Sequence, residues 1–419
     1  MQQSTVILIS LIAYKLVLIG IGLWASRRVK TDADFFLGGR NLGPWVAGLS
    51  YAASTSSAWV LLGFSGFVYA FGVSALWMIP GIWGGYVAMW VWLGPRIREE
   101  SKKHLWVTPT EFLSANIDQN TRRIVAIIAS LMILFCFVFY IAAQFDAAAQ
   151  AFVTNFGLSV TGSVILGATI ILIYCLLGGF WAVSVTDTLQ GIIMMLVALL
   201  IPFLALLEAG GYGTLFQNLQ ATASPEFSLW HGGRSGFVLF GFIFGIMAIG
   251  LGTLGQPHLI ARLMAVKGDK ERRQGFAVAM AWAVLVYIGM STLALSARSL
   301  SLEPGNGEQL FYLMANQLLP PILAGIVIAA ILSAVMSTVD SLLLAASAAV
   351  SHDLGLSKRI PGKELTISRM VMTAIAIFAV VLTLTLPDTI FNRVLFAWSA
   401  LGAAFGPLII ARVLGREPS

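Results

Sequence analysis

The chain is dominated by apolar runs long enough to cross a lipid bilayer. A spanning helix needs about 20 mostly apolar residues in a row, and the 419-residue sequence contains eleven such runs. They fall at 5–26, 44–70, 74–95, 123–154, 160–180, 188–209, 235–261, 274–297, 312–350, 367–386 and 391–414. In hydrocarbon every backbone N–H and C=O must be bonded within the protein, so runs of this kind are read as helices. The expected fold class is an all-α polytopic membrane protein of about 11 transmembrane helices. Composition agrees, with 58% hydrophobic and 11% charged residues, against roughly 25% charged in a soluble domain. The same values exclude intrinsic disorder. The first run does not read as a signal peptide. It lacks a basic leader and a small-residue cleavage site, and Arg27, Arg28 and Lys30 follow it as a stop signal.

Loop charges predict the topology. Twenty-one Lys and Arg residues sit in alternate loops and the tail, against three (Arg234, Arg298 and Arg393) on the other side. Basic loops stay cytoplasmic, so the N-terminus is expected outside and the C-terminus inside. The net charge of +6 then reflects loops beside anionic lipid and requires no nucleic-acid partner.

Two segments are built to unwind. One is Leu49–Trp59, rich in hydroxyls (Ser50, Tyr51, Ser54, Thr55, Ser56, Ser57). The other is Gly250–His258, with three glycines and Pro257, each of which disfavours a continuous helix. Close packing or a simple kink would explain either one alone. Together they occupy corresponding places in spans 2 and 7. With spans 2–6 and 7–11 as two five-helix repeats, each is the first helix of its repeat, the arrangement that marks a transporter binding site. The expected organisation is one transporter domain over 1–419. Residues 1–42 form an extra helix and loop, 43–209 a first inverted repeat and 235–414 a second.

Three carboxylates fall in or beside apolar runs: Asp146, Asp187 and Asp340. A charge at membrane depth is expensive and faces a cavity or an ion. Asp340 lies in Met336-Ser337-Thr338-Val339-Asp340-Ser341, where hydroxyls and backbone carbonyls offer hard oxygen ligands for an alkali cation. The plainer alternative is that Ser337 and Thr338 bond back to their own helix. Asp187 either serves an ion or caps the start of span 6. His258 and Arg262, one turn apart, read as a structural anchor. Cys136, Cys175 and four scattered histidines lack ligand spacing, so no disulfide framework and no transition metal is expected. Without a nucleophile elbow or a Walker lysine pattern, an enzyme, an ATP-driven pump and an organic cofactor have no support.

Several stretches carry a resemblance. They are Asp34-Phe35-Phe36-Leu37-Gly38-Gly39-Arg40; Gly178-Gly179-Phe180 through Asp187-Thr188; Gly255-Gln256-Pro257-His258 with Arg262; Ala334-Val335-Met336-Ser337-Thr338; and Phe396-Ala397-Trp398 through Pro407. In this order the chain resembles the sodium/solute symporter family, closest to its bacterial sodium/proline symporters. The resemblance implies a LeuT-like 5+5 inverted repeat with one extra N-terminal helix. It implies import of a small organic solute with Na+ across the bacterial inner membrane. The sodium site would map onto Ala53, Ser56, Ala334, Ser337 and Thr338, and a second ion site onto Asp187. Substrate positions would be Ser54, Thr55, Ser57, Tyr140, Ile249, Thr253 and Pro257. The chain departs from proline symporters at Thr55, where they carry an aspartate, and at Ile249 and Thr253, where they carry aromatics. The expected partners are thus a small solute and the lipid bilayer, with Na+ as coupling ion. Proton coupling through Asp187 or Asp340, and a transporter-like solute sensor, are the rival readings.

Overall fold

A computed structural model describes residues 36–115, 117–177, 179–222, 224–356 and 363–415, with scattered positions between 9 and 24. The expected span 5–26 lies largely outside the described residues, as do Arg27, Arg28, Lys30, Lys358, Arg359 and Arg416. The described chain is helical nearly throughout. Its only pairing of strand type among the described residues is one isolated bridge, Leu42 to Val266.

The helices follow in order. α1 (Pro44–Ala58) runs through a π-helical stretch, Trp59–Phe64, into α2 (Ser65–Phe71). α3 (Met78–Val87) continues through Ala88–Leu93 into α4 (Gly94–Lys103). The short α5 (Pro109–Leu113) precedes α6 (Gln119–Phe156), α7 (Val160–Leu177), α8 (Phe180–Glu208) and α9 (Gly211–Thr222). α10 (Gly236–Met247) passes through a 3-10 stretch, Ala248–Gly255, into α11 (Pro257–Ala265). α12 (Asp269–Ser299), α13 (Leu310–Leu318), α14 (Pro321–Ala348), α15 (Glu364–Thr385) and α16 (Ile390–Val413) complete the chain.

Helix ends follow local chemistry. Asp118 caps α6 by accepting the N–H groups of Asn120 and Thr121 at 3.0 and 3.1 Å, and Gly157 closes it in the left-handed conformation. Thr108 and Glu111 form a reciprocal capping box on α5. Two sequence expectations change. Span 9 does not begin at 312, because Pro320 is extended and Pro321 opens a new helix, leaving Leu310–Leu318 as a separate element. α8 begins at Phe180 after an extended Gly179, so Asp187 lies two turns inside the helix. It is not an N-cap.

Among the described residues, eight stretches are long and apolar enough to cross a membrane, the first being the 60-residue run Pro44–Lys103, and Val160–Leu176 is a shorter apolar helix. They are not equal in depth. In an 18-residue apolar window of Ile322–Asp353, 83% is buried within the protein, against 22% in Gly236–Gly255, so α14 is central and α10 faces lipid. The 3-10 stretch touches its neighbours backbone to backbone. A Cβ on Gly250 would lie 1.8 Å from the Gly81 carbonyl oxygen, and one on Gly252 2.0 Å from the Trp398 ring. Only glycine permits this approach.

Candidate functional site

α1 breaks at Ser57, which has φ 51° and ψ −168°. A non-glycine residue there is strained and marks a site that the surroundings hold in place. Two neighbours satisfy the amides that the break releases. Trp59 N–H donates to Ser57 Oγ at 3.0 Å, and Ala58 N–H donates to Gln144 Oε1, on α6, at 3.2 Å. The second break is the 3-10 stretch Ala248–Gly255 with extended Gln256. Gln256 Nε2 donates to the carbonyls of Gly252 and Trp398 at 3.0 and 3.2 Å. Trp398 Nε1 returns a bond to the Ile249 carbonyl at 2.9 Å. α16 is thereby latched to the unwound segment.

The breaks border two cavities. Thr55, Trp59, Ile82, Ile249, Thr253, Tyr287, Val394, Leu395 and Trp398 line one. Pro257, His258, Arg262, Ser341, Thr108 and Asp353 are among the residues lining the other, toward the end that carries the basic loops. Three expected substrate positions, Thr55, Ile249 and Thr253, therefore meet at one cavity, while Pro257 faces the second. Ser57 forms the break itself, and Tyr140 touches a wall of each cavity. The Tyr140 ring packs edge-on to His258 and to Trp398, with centroids 6.4 and 6.3 Å apart. The Thr55 hydroxyl donates to its own helix at the Tyr51 carbonyl, 2.6 Å away.

Ser54 faces elsewhere. Its hydroxyl donates to the Ser337 carbonyl at 2.8 Å, which ties α1 to α14. Ala53, Ser56, Ala334, Ser337 and Thr338 are all fully buried. The hydroxyls of Ser337 and Thr338 both donate to the Ala334 carbonyl at 3.1 Å. Their lone pairs remain free for a cation. The Ala334 carbonyl is already occupied by both hydroxyls, so its use as a ligand requires them to turn.

Beside this lies an ion pair. Arg262 Nη2 meets Asp187 Oδ2 at 2.7 Å, with 1% and 0% side-chain exposure. The guanidinium also donates to Ser50 Oγ at 2.8 Å, to Ser54 Oγ at 2.6 Å, to Ser341 Oγ at 2.5 Å and to the His258 carbonyl at 2.9 Å. One side chain from α11 thus bonds α1, α8 and α14. Asp340, 1% exposed, has one oxygen 3.2 Å from Ser341 Oγ and the other without a partner among the described residues. Asp146 stands apart, 4.0 Å from Arg393. The sequence by itself marks Arg262 only as an anchor and assigns no role to Gln144, Tyr287 or Trp398. The readable signal for Arg262 was that a carboxylate inside an apolar span needs a cation at its own depth.

Two discontinuous helices meeting inside an all-helical bundle define a secondary active transporter of the LeuT-like class. The chain belongs to the sodium:solute symporter family, whose model matches residues 35–415. It is 32% identical to the osmoregulated proline transporter OpuE of Bacillus subtilis, over 97% of this chain and 84% of that protein. It is 33% identical to the sodium/proline symporter of Escherichia coli, over 99% and 84%. Among solved structures it shares its fold with a Na+-coupled sialic acid symporter in a substrate-bound, outward-open state. The TM-score is 0.79 at 20% identity, covering 97% of this chain and 86% of that one. MhsT in complex with L-phenylalanine is more distant, with a TM-score of 0.57 at 14% identity over 88% of each chain. The protein is thus a membrane-embedded, sodium-coupled symporter of a small solute, and not an enzyme.

Proposed function

We propose that this symporter imports L-proline, or an amino acid close to it, across a bacterial inner membrane by alternating access. The observation that carries this is the meeting of Thr55, Ile249 and Thr253, from the two broken helices, at one cavity, in a chain whose relatives include proline transporters. Sodium binds between α1 and α14, at the carbonyls of Ala53, Ser56 and Ala334 and the hydroxyls of Ser337 and Thr338. Asp187 is a second place for an ion, in exchange for its bond to Arg262. Solute binds beside the sodium at Thr55, Ile249 and Thr253, with Ser54, Ser57, Tyr140 and Pro257 around the breaks. A ligand shifts the equilibrium between outward and inward forms only by its differential affinity for the two. Sodium bridging α1 and α14 supplies that difference when the two helices separate.

Residues 43–209 and 235–414 act as the two inverted repeats, after an extra N-terminal helix in 1–42. The N-terminus lies outside and the C-terminus in the cytoplasm, as the split of basic residues supports. With Ile249 and Thr253 in place of two bulkier aromatics, the cavity has more room, so solutes larger than proline are admitted too. A competition panel tests the reading: labelled proline uptake into proteoliposomes against unlabelled amino acids and glycine betaine. Proline, or an amino acid near it, is expected to compete best. Uptake that glycine betaine blocks and proline does not would overturn the assignment.

A further inference from the structure

The break at Ser57 is surrounded by more hydrogen-bond donors than the chain itself uses. Gln144 is fully buried. Its Oε1 accepts the Ala58 N–H at 3.2 Å, and only the oxygen of a carboxamide can accept such a bond. The amide is therefore fixed in one orientation, and its Nε2, with two N–H donors, has no partner among the described residues. The Tyr140 hydroxyl, one turn earlier on the same face of α6, is also buried and unpartnered. So is the indole Nε1 of Trp59, just past the break. Trp59 and Trp398, against which Tyr140 packs, both line the cavity that holds Thr55, Ile249 and Thr253. Buried polar groups in native proteins are almost always bonded, and leaving a donor unmet is costly. Orphaned N–H and O–H donors gathered at one break call for an oxygen-bearing ligand.

We propose that Gln144 is a specificity-determining residue for the transported solute. Its carboxamide N–H, pinned from behind by Ala58, donates to an oxygen of the solute, and a carboxylate, an acceptor on both oxygens, fits this donor set best. The claim rests on the symport reading above and deepens it, by naming the group of the solute that is read. It also places recognition on α6, outside the two broken helices.

Two variants separate the donor from the capping role. Gln144→Glu keeps an oxygen for the Ala58 N–H but replaces the Nε2 donor by a negative charge. Gln144→Leu removes both. Each is purified, checked for folding by thermal unfolding and size-exclusion chromatography, and reconstituted. Labelled proline uptake is then measured, with competition by proline and by proline methyl ester. Gln144→Glu is expected to raise the proline KM about tenfold or more, with sodium half-saturation changed less than about twofold. Both variants are expected to lose the wild-type preference for the acid over the ester. An unchanged proline KM in Gln144→Glu, or an undiminished acid preference in a folded Gln144→Leu, would overturn the proposal. If the wild type takes up a different solute, the proline assignment falls, and the same Gln144→Glu comparison on that solute decides the role of Gln144 separately.

Discussion

Arg262 and Asp187 form a pair buried from both water and lipid, and its energetics are asymmetric. Breaking such a pair from one side leaves an uncompensated charge and costs about 3–5 kcal/mol. Asp187→Asn and Arg262→Gln are each expected to lower the unfolding midpoint in detergent by several degrees, and the double variant to recover most of the loss. Scanning fluorimetry of the three proteins measures this. Additive losses in the double variant would show that the 2.7 Å contact carries little coupling. At the proposed sodium site, Ser337→Ala and Thr338→Ala each remove one hydroxyl oxygen. Each is expected to raise the sodium concentration for half-maximal uptake about tenfold, as loss of a charge-assisted contact does, with a smaller effect on solute KM at saturating sodium.

At the scale of elements, the two broken helices depend on close backbone approach. Gly252→Val would place side-chain atoms inside the Trp398 ring and displace α16 from the 3-10 stretch. Uptake is expected to fall at least about tenfold, the order of a serious overpacking. A transport assay on protein of normal expression checks it. The clasp between α5 and the end of α14 has a pH signature. Glu111 accepts from Val107 N–H at 2.7 Å and lies 3.1 Å from His352 Nε2, while Thr108 Oγ1 donates to Asp353 at 2.7 Å. Burial raises the Glu111 carboxyl, but the His352 ring and the N–H groups of Val107 and Thr108 outweigh it and hold it below its ordinary value. A depressed carboxyl contributes stability above the unfolded range, near 4.3, and loses it as pH falls through the folded value. The difference in unfolding midpoint between wild type and Glu111→Gln is therefore expected to be larger at about pH 5 than below about pH 4. A difference that grows on acidification would contradict this.

The length of the apolar runs located most of these elements, because a bilayer demands long apolar helices and leaves little latitude in their length. Where it misplaced a boundary, one residue decided. Pro321 opens α14 where hydropathy alone ran on from 312, and Gly179 lets α8 start early enough to carry Asp187 inside. The hydroxyl-rich stretch around Ser57 was legible as a segment that could unwind. The positive φ at Ser57 was not, since it depends on Gln144, 86 positions away, to bond the freed amide. The pairing of Arg262 with Asp187 was hidden in the same way, by a separation of 75 positions.

For the whole molecule, the broken helices, the buried hydroxyls between α1 and α14 and membership of the sodium:solute symporter family converge on solute uptake driven by a sodium gradient. The membrane potential adds to this drive, about 2.3 kcal/mol per charge per 100 mV. The most direct measurement is accumulation of labelled proline in sealed proteoliposomes under an inward sodium gradient. It is repeated with sodium equal on both sides, and with an inward proton gradient and no sodium. Transient accumulation above the external concentration is expected under the sodium gradient alone, abolished when an ionophore collapses it and weakened in Ser337→Ala and Thr338→Ala. Accumulation driven by protons without sodium, or solute binding with no net uptake under any gradient, would rule out sodium-driven symport.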